Sequence, residues 1–343
     1  MLLSGSIKLT TEVRVPPSRL ALTSGDPDGI GSEVALKALA ELGPQHGHQI
    51  VLWRSQSCPK SHLDFVDGVF KRKTFSSYEQ YIDSQMAFDP QHLIDICSEE
   101  SAAHWVVEST QACLKNELQA LVTGPLSKTL ICQSGLREIG HTGLFKSICK
   151  TDDLFMGFLG NHFNVVLVTD HIPLAEVPAS LSLSKFQRAL QISHQWWTLS
   201  KSRESSTTVK PIALVGLNPH AGEQGLLGSE EKDLYEDLLN WAQSQAIPTE
   251  GPLVPDSAFR PENWDRYSLY LCPYHDQGLI PFKMAHADHR SAHITLGLPF
   301  LRLSVDHGTG KDIFNQNKAS HLSMLTALKR ALEMTRPKGA SSL

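Results

Sequence analysis

Short apolar runs of four to seven residues recur along the chain, and each closes on a turn-rich polar stretch that usually leads into a helical pattern. Leu20-Ala-Leu-Thr23 runs into Ser24-Gly-Asp-Pro-Asp-Gly-Ile-Gly31 and then into a helix-like segment from Glu33 to Leu42. Further strands are expected at Gln49–Trp53, Ala120–Thr123, Phe155–Leu159, Val165–Thr169, Ile212–Leu217, Leu269–Cys272, Ile294–Leu296 and Leu301–Val305. Apolar residues at helical spacing predict helices over Ser101–Leu118, Ser184–Leu199, Ser229–Ala246 and His321–Met334. Strands that are apolar on both faces and alternate with helices belong in a mostly parallel sheet covered on both sides. The expected fold class is therefore α/β. Residues 54–100, with Pro59, Pro90 and mixed polarity, give no readable pattern, and Lys201 to Lys210 reads as a polar surface connection.

Composition limits what such a sheet could serve. At 343 residues the chain is long enough for two domains or one large α/β unit. Lys and Arg number 31 against 36 Asp and Glu, and 16 histidines, each roughly a quarter protonated at pH 7, bring the formal charge of −5 close to zero. Little long-range field remains to grip nucleic acid or an anionic membrane. Six cysteines without a C-x-x-C or a short paired spacing argue against a zinc ribbon or a disulfide scaffold. No apolar run reaches the roughly 18 residues a membrane span needs, and Met1 to Ser18 has only Leu2-Leu3 where a signal peptide needs a longer apolar core. A cytoplasmic location is expected.

Parallel sheets bind ligands at the carboxyl ends of their strands, so the loops there are where chemistry should lie. Three of those loops place a histidine just past a strand: His171 in Thr169-Asp-His-Ile-Pro173, His220 in Asn218-Pro-His-Ala-Gly-Glu223, and His275 in Pro273-Tyr-His-Asp-Gln-Gly278. Neutral imidazoles on separate loops of one sheet edge suit a divalent cation with positions left open for substrate. Each histidine taken alone reads better as a hydrogen-bonded surface residue, and only the three at equivalent positions bring the metal reading level with it. The glycine loop, Gly25-x3-Gly29-x-Gly31, is not the dinucleotide fingerprint. It fits either a tight strand-to-helix turn or a helix N-terminus near Ser32-Glu33 whose N–H groups face a phosphate or carbonyl. Lys283 and Arg302 could complete an anion site or be ordinary surface charges. In Gly140-His141-Thr142, Thr142 is expected to cap a helix, with an oxyanion contact as the alternative.

Together these motifs resemble one family. Gly25-Asp-Pro-x-Gly-Ile-Gly31, Thr123-Gly-Pro-Leu-Ser-Lys128, Gly140-His-Thr142, Val168-Thr-x-His-x-Pro-Leu174 and Gly216-Leu-Asn-Pro-His-Ala-Gly-Glu223 are similar to motifs of the 4-hydroxythreonine-4-phosphate dehydrogenases. So are Gly251-Pro-Leu-x-Pro-Asp256, Tyr274-His-Asp-Gln-Gly278 and the stretch from Ile294 through Arg302 to Thr309, all in the family's order. The glycine loop is shared with the wider isocitrate and isopropylmalate dehydrogenase-like superfamily. The resemblance implies a two-domain α/β/α subunit with mostly parallel sheets and an interdomain active-site cleft. Residues 1–125 with 298–343 would form the first domain, and residues 126–297 a second that binds metal and dimerises. A second subunit of a homodimer would complete the cleft.

The resemblance also assigns roles. His171, His220 and His275 match metal ligands for zinc, magnesium, cobalt or a similar cation. His141, Thr142, Lys283, His293 and Arg302 match residues that hold a phosphorylated hydroxy acid. Asp256 and Lys283 match catalytic positions, and Asp306, His307, Gly308 and Thr309 match the loop around NAD or NADP. The implied reaction oxidises and decarboxylates 4-phosphohydroxy-L-threonine to 3-amino-2-oxopropyl phosphate in pyridoxal phosphate biosynthesis. This chain departs from the family at His293, where members usually have Asn, at Gly143 for Glu and at Ser127 for Asn. It departs again at Gly310-Lys-Asp-Ile-Phe-Asn315, commonly Ala-Leu-Asp-Leu-Ala-Gly. These departures leave open the same chemistry on 4-phospho-threonate, phospho-erythronate or a dihydrodiol carboxylate, and a ligand-binding pseudoenzyme with an impaired cofactor site. An acyltransferase on a similar fold would have no evident need for the three loop histidines.

Overall fold

The computed structural model describes residues 18–138, 140–201 and 209–336. The readings of residues 1–17 and of most of Lys201 to Lys210 lie outside the described residues. In chain order the elements of the first part are β1 (Ser18–Thr23), α1 (Gly31–Leu42), β2 (His48–Ser55), α2 (Lys60–Asp67), β3 (Lys71–Phe75), α3 (Tyr78–Asp83), β4 (His92–Ser98), α4 (Ala102–Leu114) and β5 (Ala120–Thr123). Then come α5 (Lys128–Gln133), α6 (Gly140–Cys149), β6 (Phe155–Leu159), β7 (Val165–Leu167), α7 (Val177–Ser180), α8 (Leu183–Lys201), β8 (Ile212–Val215) and α9 (Glu236–Ser244). The last are β9 (Thr249–Leu253), α10 (Pro255–Ala258), β10 (Leu269–Cys272), α11 (His275–Ala285), β11 (Ala292–Leu296), β12 (Leu301–Ser304) and α12 (Leu322–Thr335).

Among the described residues the strands form one sheet of twelve, in the order β3-β4-β2-β1-β5-β12-β11-β6-β7-β10-β8-β9. Pairing is parallel except for β12 with β11, β11 with β6, and β6 with β7. The α/β class follows directly. β1 to β5 and β12 come from residues 1–125 and 298–343, and β6 to β11 from residues 126–297, and the two sets of strands meet where β12 pairs with β11. The sheet itself runs unbroken across that seam.

Both faces are covered, as the apolar strands require. In β1, Leu20 and Leu22 join one core layer with Leu36 and Leu39 of α1 and Leu328 of α12. Ala21, between them, joins the opposite layer with Trp105 and Val106 of α4 and Phe145 of α6. The unreadable stretch 54–100 resolves into two helices and two strands. There β3 reads Lys-Arg-Lys-Thr-Phe because it is an edge strand, and Asp95 of β4 is fully buried against arginines. The helix expected over Ser229–Ala246 begins with a π-helical turn, Glu231–Tyr235. Among the described residues no helix is long and apolar enough to cross a membrane.

Candidate active site

A cleft of about 1120 Å³ opens at the strand ends around the middle of the sheet. Its floor follows from strand register. Thr295 of β11 pairs with Arg302 of β12, and His293 pairs with Ser304, while Ser304 also pairs with Thr123 of β5. Alternation along strands then puts His293, Thr295, Arg302 and Ser304 in one polar patch among apolar neighbours. The Arg302 guanidinium donates to His293 Nδ1 at 3.0 Å and Thr295 Oγ1 at 2.9 Å through Nη1, and to Thr123 Oγ1 at 2.6 Å through Nη2.

Arg302 is only 3% exposed, and every one of these acceptors is neutral. No ion pair to a carboxylate is found for it among the described residues. Burial pushes its pKa down to about 9. A buried cation without a counter-ion is costly unless something negative is brought to it, and its Nε still lacks a partner. α6 supplies the wall: Phe145 lies 5.1 Å from the guanidinium carbon, and His141, one turn earlier, stacks on Phe145. Burial and then the Arg302 charge hold His141 well below the usual histidine range, and its Nε2 is buried without a partner. Because α6 starts at Gly140, Thr142 sits inside its first turn and lines the cleft; it does not precede the helix as the expected cap.

The histidine pair is built by tying two loops together. β7 and β10 are parallel neighbours, and Thr169 donates through both its N–H (3.1 Å) and its hydroxyl (2.7 Å) to Pro273 O. That brings His171 and His275 to a ring-centroid separation of 5.0 Å. His275 Nδ1 lies 2.7 Å from Asp276 Oδ1, a pairing that leaves Nε2 free for a ligand. α11 carries His275, Leu279 and Lys283 at four-residue intervals along the cleft, and Lys283 Nζ reaches Asp306 O at 3.3 Å.

His220 does not join them. It starts a run of five left-handed residues, His220 to Gln224 with φ between 42° and 74°, held by Asn218, whose N–H and side-chain nitrogen donate to Glu231 at 2.6 and 2.9 Å. It is exposed and lies outside the cleft lining, as does Asp256 on the loop after β9. Among the described residues no group of three or more His, Cys, Asp or Glu is close enough to hold a metal. Within one chain, then, the donors fit two positions of the implied three-histidine set.

Asp306, His307 and Gly308 line the cleft, and the space over Gly308 is open. Thr309 turns away, its carbonyl accepting Ile30 N–H at 2.8 Å. A Cβ on Gly29 would stand 2.7 Å from that same oxygen, and one on Gly25 or Gly31 would collide with Pro125 O or Ser24 O. The glycine loop is therefore a packed strand-to-helix turn, and Thr309 takes up the N–H of Ile30, the residue just before the helix it feeds. Thr123, Thr295, Lys128 and Asp170 escaped the sequence reading of the cleft. The signal for the two threonines was present as a polar residue within, or at the end of, an otherwise apolar strand.

The fold and the cleft define an α/β protein with a buried, uncompensated cation in the lining of a cleft at its strand ends. Residues 69–331 match the family described as pyridoxal phosphate biosynthetic protein PdxA. A 4-hydroxythreonine-4-phosphate dehydrogenase of Sulfurihydrogenibium sp. is 32% identical over 93% of this chain and 98% of its own length. A D-threonate 4-phosphate dehydrogenase of Salmonella typhimurium is 31% identical over 92% and 98%. The crystal structure of a 4-hydroxythreonine-4-phosphate dehydrogenase from Klebsiella pneumoniae superposes with a TM-score of 0.76 at 26% identity, covering 94% of this chain and 99% of that one. The chain belongs to the PdxA family of dehydrogenases.

Proposed function

We propose that this protein is a cytoplasmic, homodimeric, divalent-metal-dependent NAD(P)+ dehydrogenase. It oxidises the secondary hydroxyl of 4-phosphohydroxy-L-threonine and releases CO2, forming 3-amino-2-oxopropyl phosphate for pyridoxal phosphate biosynthesis. The observation that carries this reading is the Arg302 guanidinium, buried among neutral acceptors in the lining of the cleft. Arg302 and His141 hold the phosphate, with Thr142 and Lys283 beside them, and so fix which carbon faces the loop of Asp306 to Gly308. When bound, a divalent cation lowers the pKa of the substrate hydroxyl and the nicotinamide accepts the hydride. The 3-oxo acid so formed loses CO2 because its ketone takes up the electron pair left behind, and a proton must then be returned to carbon. Asp256 or Lys283 holds that proton.

His171 and His275 supply two of the metal's ligands from one subunit. His220 and Asp256 stand on the loops after β8 and β9, at the sheet edge and exposed. The second subunit of the homodimer brings its own copies of these two residues to the cleft. With the chain divided into two domains at the β12/β11 seam, that cleft would lie between them. Turnover of 4-phosphohydroxy-L-threonine, followed as NAD(P)H formation, should stop on chelation and return with a divalent cation. Turnover of 4-phospho-threonate alone would move the substrate to that acid, and phosphate-ligand binding with no turnover of either would make the protein a pseudoenzyme.

A further inference from the structure

Arg302 has hydrogen-bond donors and no acceptor. Its Nη1 lies 3.0 Å from His293 Nδ1, so that ring nitrogen must be the acceptor and carries no proton. The one hydrogen of the neutral imidazole is then on Nε2. A doubly protonated ring would set N–H against guanidinium N–H; burial and the neighbouring Arg302 charge hold the imidazole well below its ordinary range. Ser304 Oγ also lies 3.2 Å from Nδ1 but donates its proton to Val305 O at 3.1 Å, so the assignment rests on the Arg302 contact, in which only the guanidinium can donate. His293 Nε2 is buried and has no partner in the protein, and the same holds for Arg302 Nε. Both are obligate donors on the floor of one cleft.

We propose that His293 makes this subsite a donor-only receptor, which accepts a tetrahedral oxyanion presenting bare oxygens to His293 and Arg302 and rejects one presenting a hydrogen there. The inference rests on the reading of the cleft as an anion site. An Asn at position 293 would offer both a carbonyl oxygen and an NH2 group and could turn either toward the ligand. His293 has no such choice, because turning the ring would take Nδ1 away from the guanidinium. A ligand N–H or O–H facing Nε2–H leaves two donors unpaired, a loss of roughly 10- to 100-fold in affinity.

Calorimetry with small esters tests this without turnover. Ethyl sulfate and ethyl phosphoramidate are monoanions of similar shape, and the second carries N–H groups where the first has oxygen. Wild-type protein should bind ethyl sulfate roughly 10- to 100-fold more tightly than the phosphoramidate, and ethyl phosphate should bind well above its second pKa of about 6. In His293→Asn, equally uncharged, the preference for ethyl sulfate over the phosphoramidate should fall toward unity. An unchanged preference in the variant, or none in the wild type, would overturn the inference while leaving the anion site intact. Absence of saturable binding of ethyl phosphate and ethyl sulfate would instead remove the anion site itself. In the wild-type protein, 15N NMR should find His293 protonated at Nε2 alone; a proton on Nδ1 would also overturn the inference.

Discussion

Arg302 carries its charge where water does not reach it, and the protein meets that charge only with two threonine hydroxyls and an imidazole. Such an arrangement does not serve stability, because a buried cation can be replaced by an apolar side chain of similar volume at little cost or with a gain. Arg302→Met should therefore leave the denaturation midpoint unchanged or raised while lowering kcat/KM, through loss of phosphate affinity, by roughly 10- to 100-fold. Paired measurements of denaturant midpoint and steady-state kinetics check this, and a variant that unfolds readily but binds normally would make Arg302 a structural residue. At this scale the sequence was informative where chemistry is rare. An arginine in Leu-Arg-Leu-Ser or a histidine just past a strand stands out, whereas Thr123 and Thr295 do not, because threonine is an ordinary strand residue. Position decides their role, and position is supplied by register between strands far apart in the chain.

Among the elements, those with an uninterrupted apolar character were legible to within a residue or two; β5, β6 and β10 fall where their sequences predict. The stretch 54–100 was not, because its strands are held by charge. Arg54 pairs with Asp95 through two bonds of 2.7 and 2.8 Å, and Arg72 and Thr74 of the edge strand add bonds of 2.9 and 3.0 Å to the same carboxylate. A sequence with alternating basic residues reads as a surface loop until the buried acid that organises it is known. Removing that acid strands a buried arginine, so Asp95→Ala should lower unfolding free energy by about 3–5 kcal/mol in urea titration. Because β4 lies four strands from β12, the folded fraction should keep wild-type kcat. Of the three loop histidines read as candidate metal ligands, His171 and His275 meet within one chain and His220 does not, and the left-handed turn that carries His220 has no signature in side-chain pattern.

For the whole molecule, the sheet sorts its functional loops into two places. The cleft over the middle strands holds His141, His171, His275, His293 and Arg302, while His220 and Asp256 stand outside it. A single chain thus displays an incomplete site and, elsewhere, the residues that would complete one. In the proposed homodimer, two copies related by a two-fold axis would resolve this reciprocally, each cleft receiving the other subunit's His220. The motifs could be read along one chain, and the resemblance they carry implied a second subunit, but which of the loop histidines meet within one chain could not be read from them. The direct measurement is complementation between Arg302→Met and His220→Ala, each strongly impaired alone, after subunits are exchanged. A shared site leaves each mixed dimer with one intact cleft, so random reassociation should restore about a quarter of wild-type NAD(P)H formation from 4-phosphohydroxy-L-threonine. A mixture no more active than its parents would contradict the account.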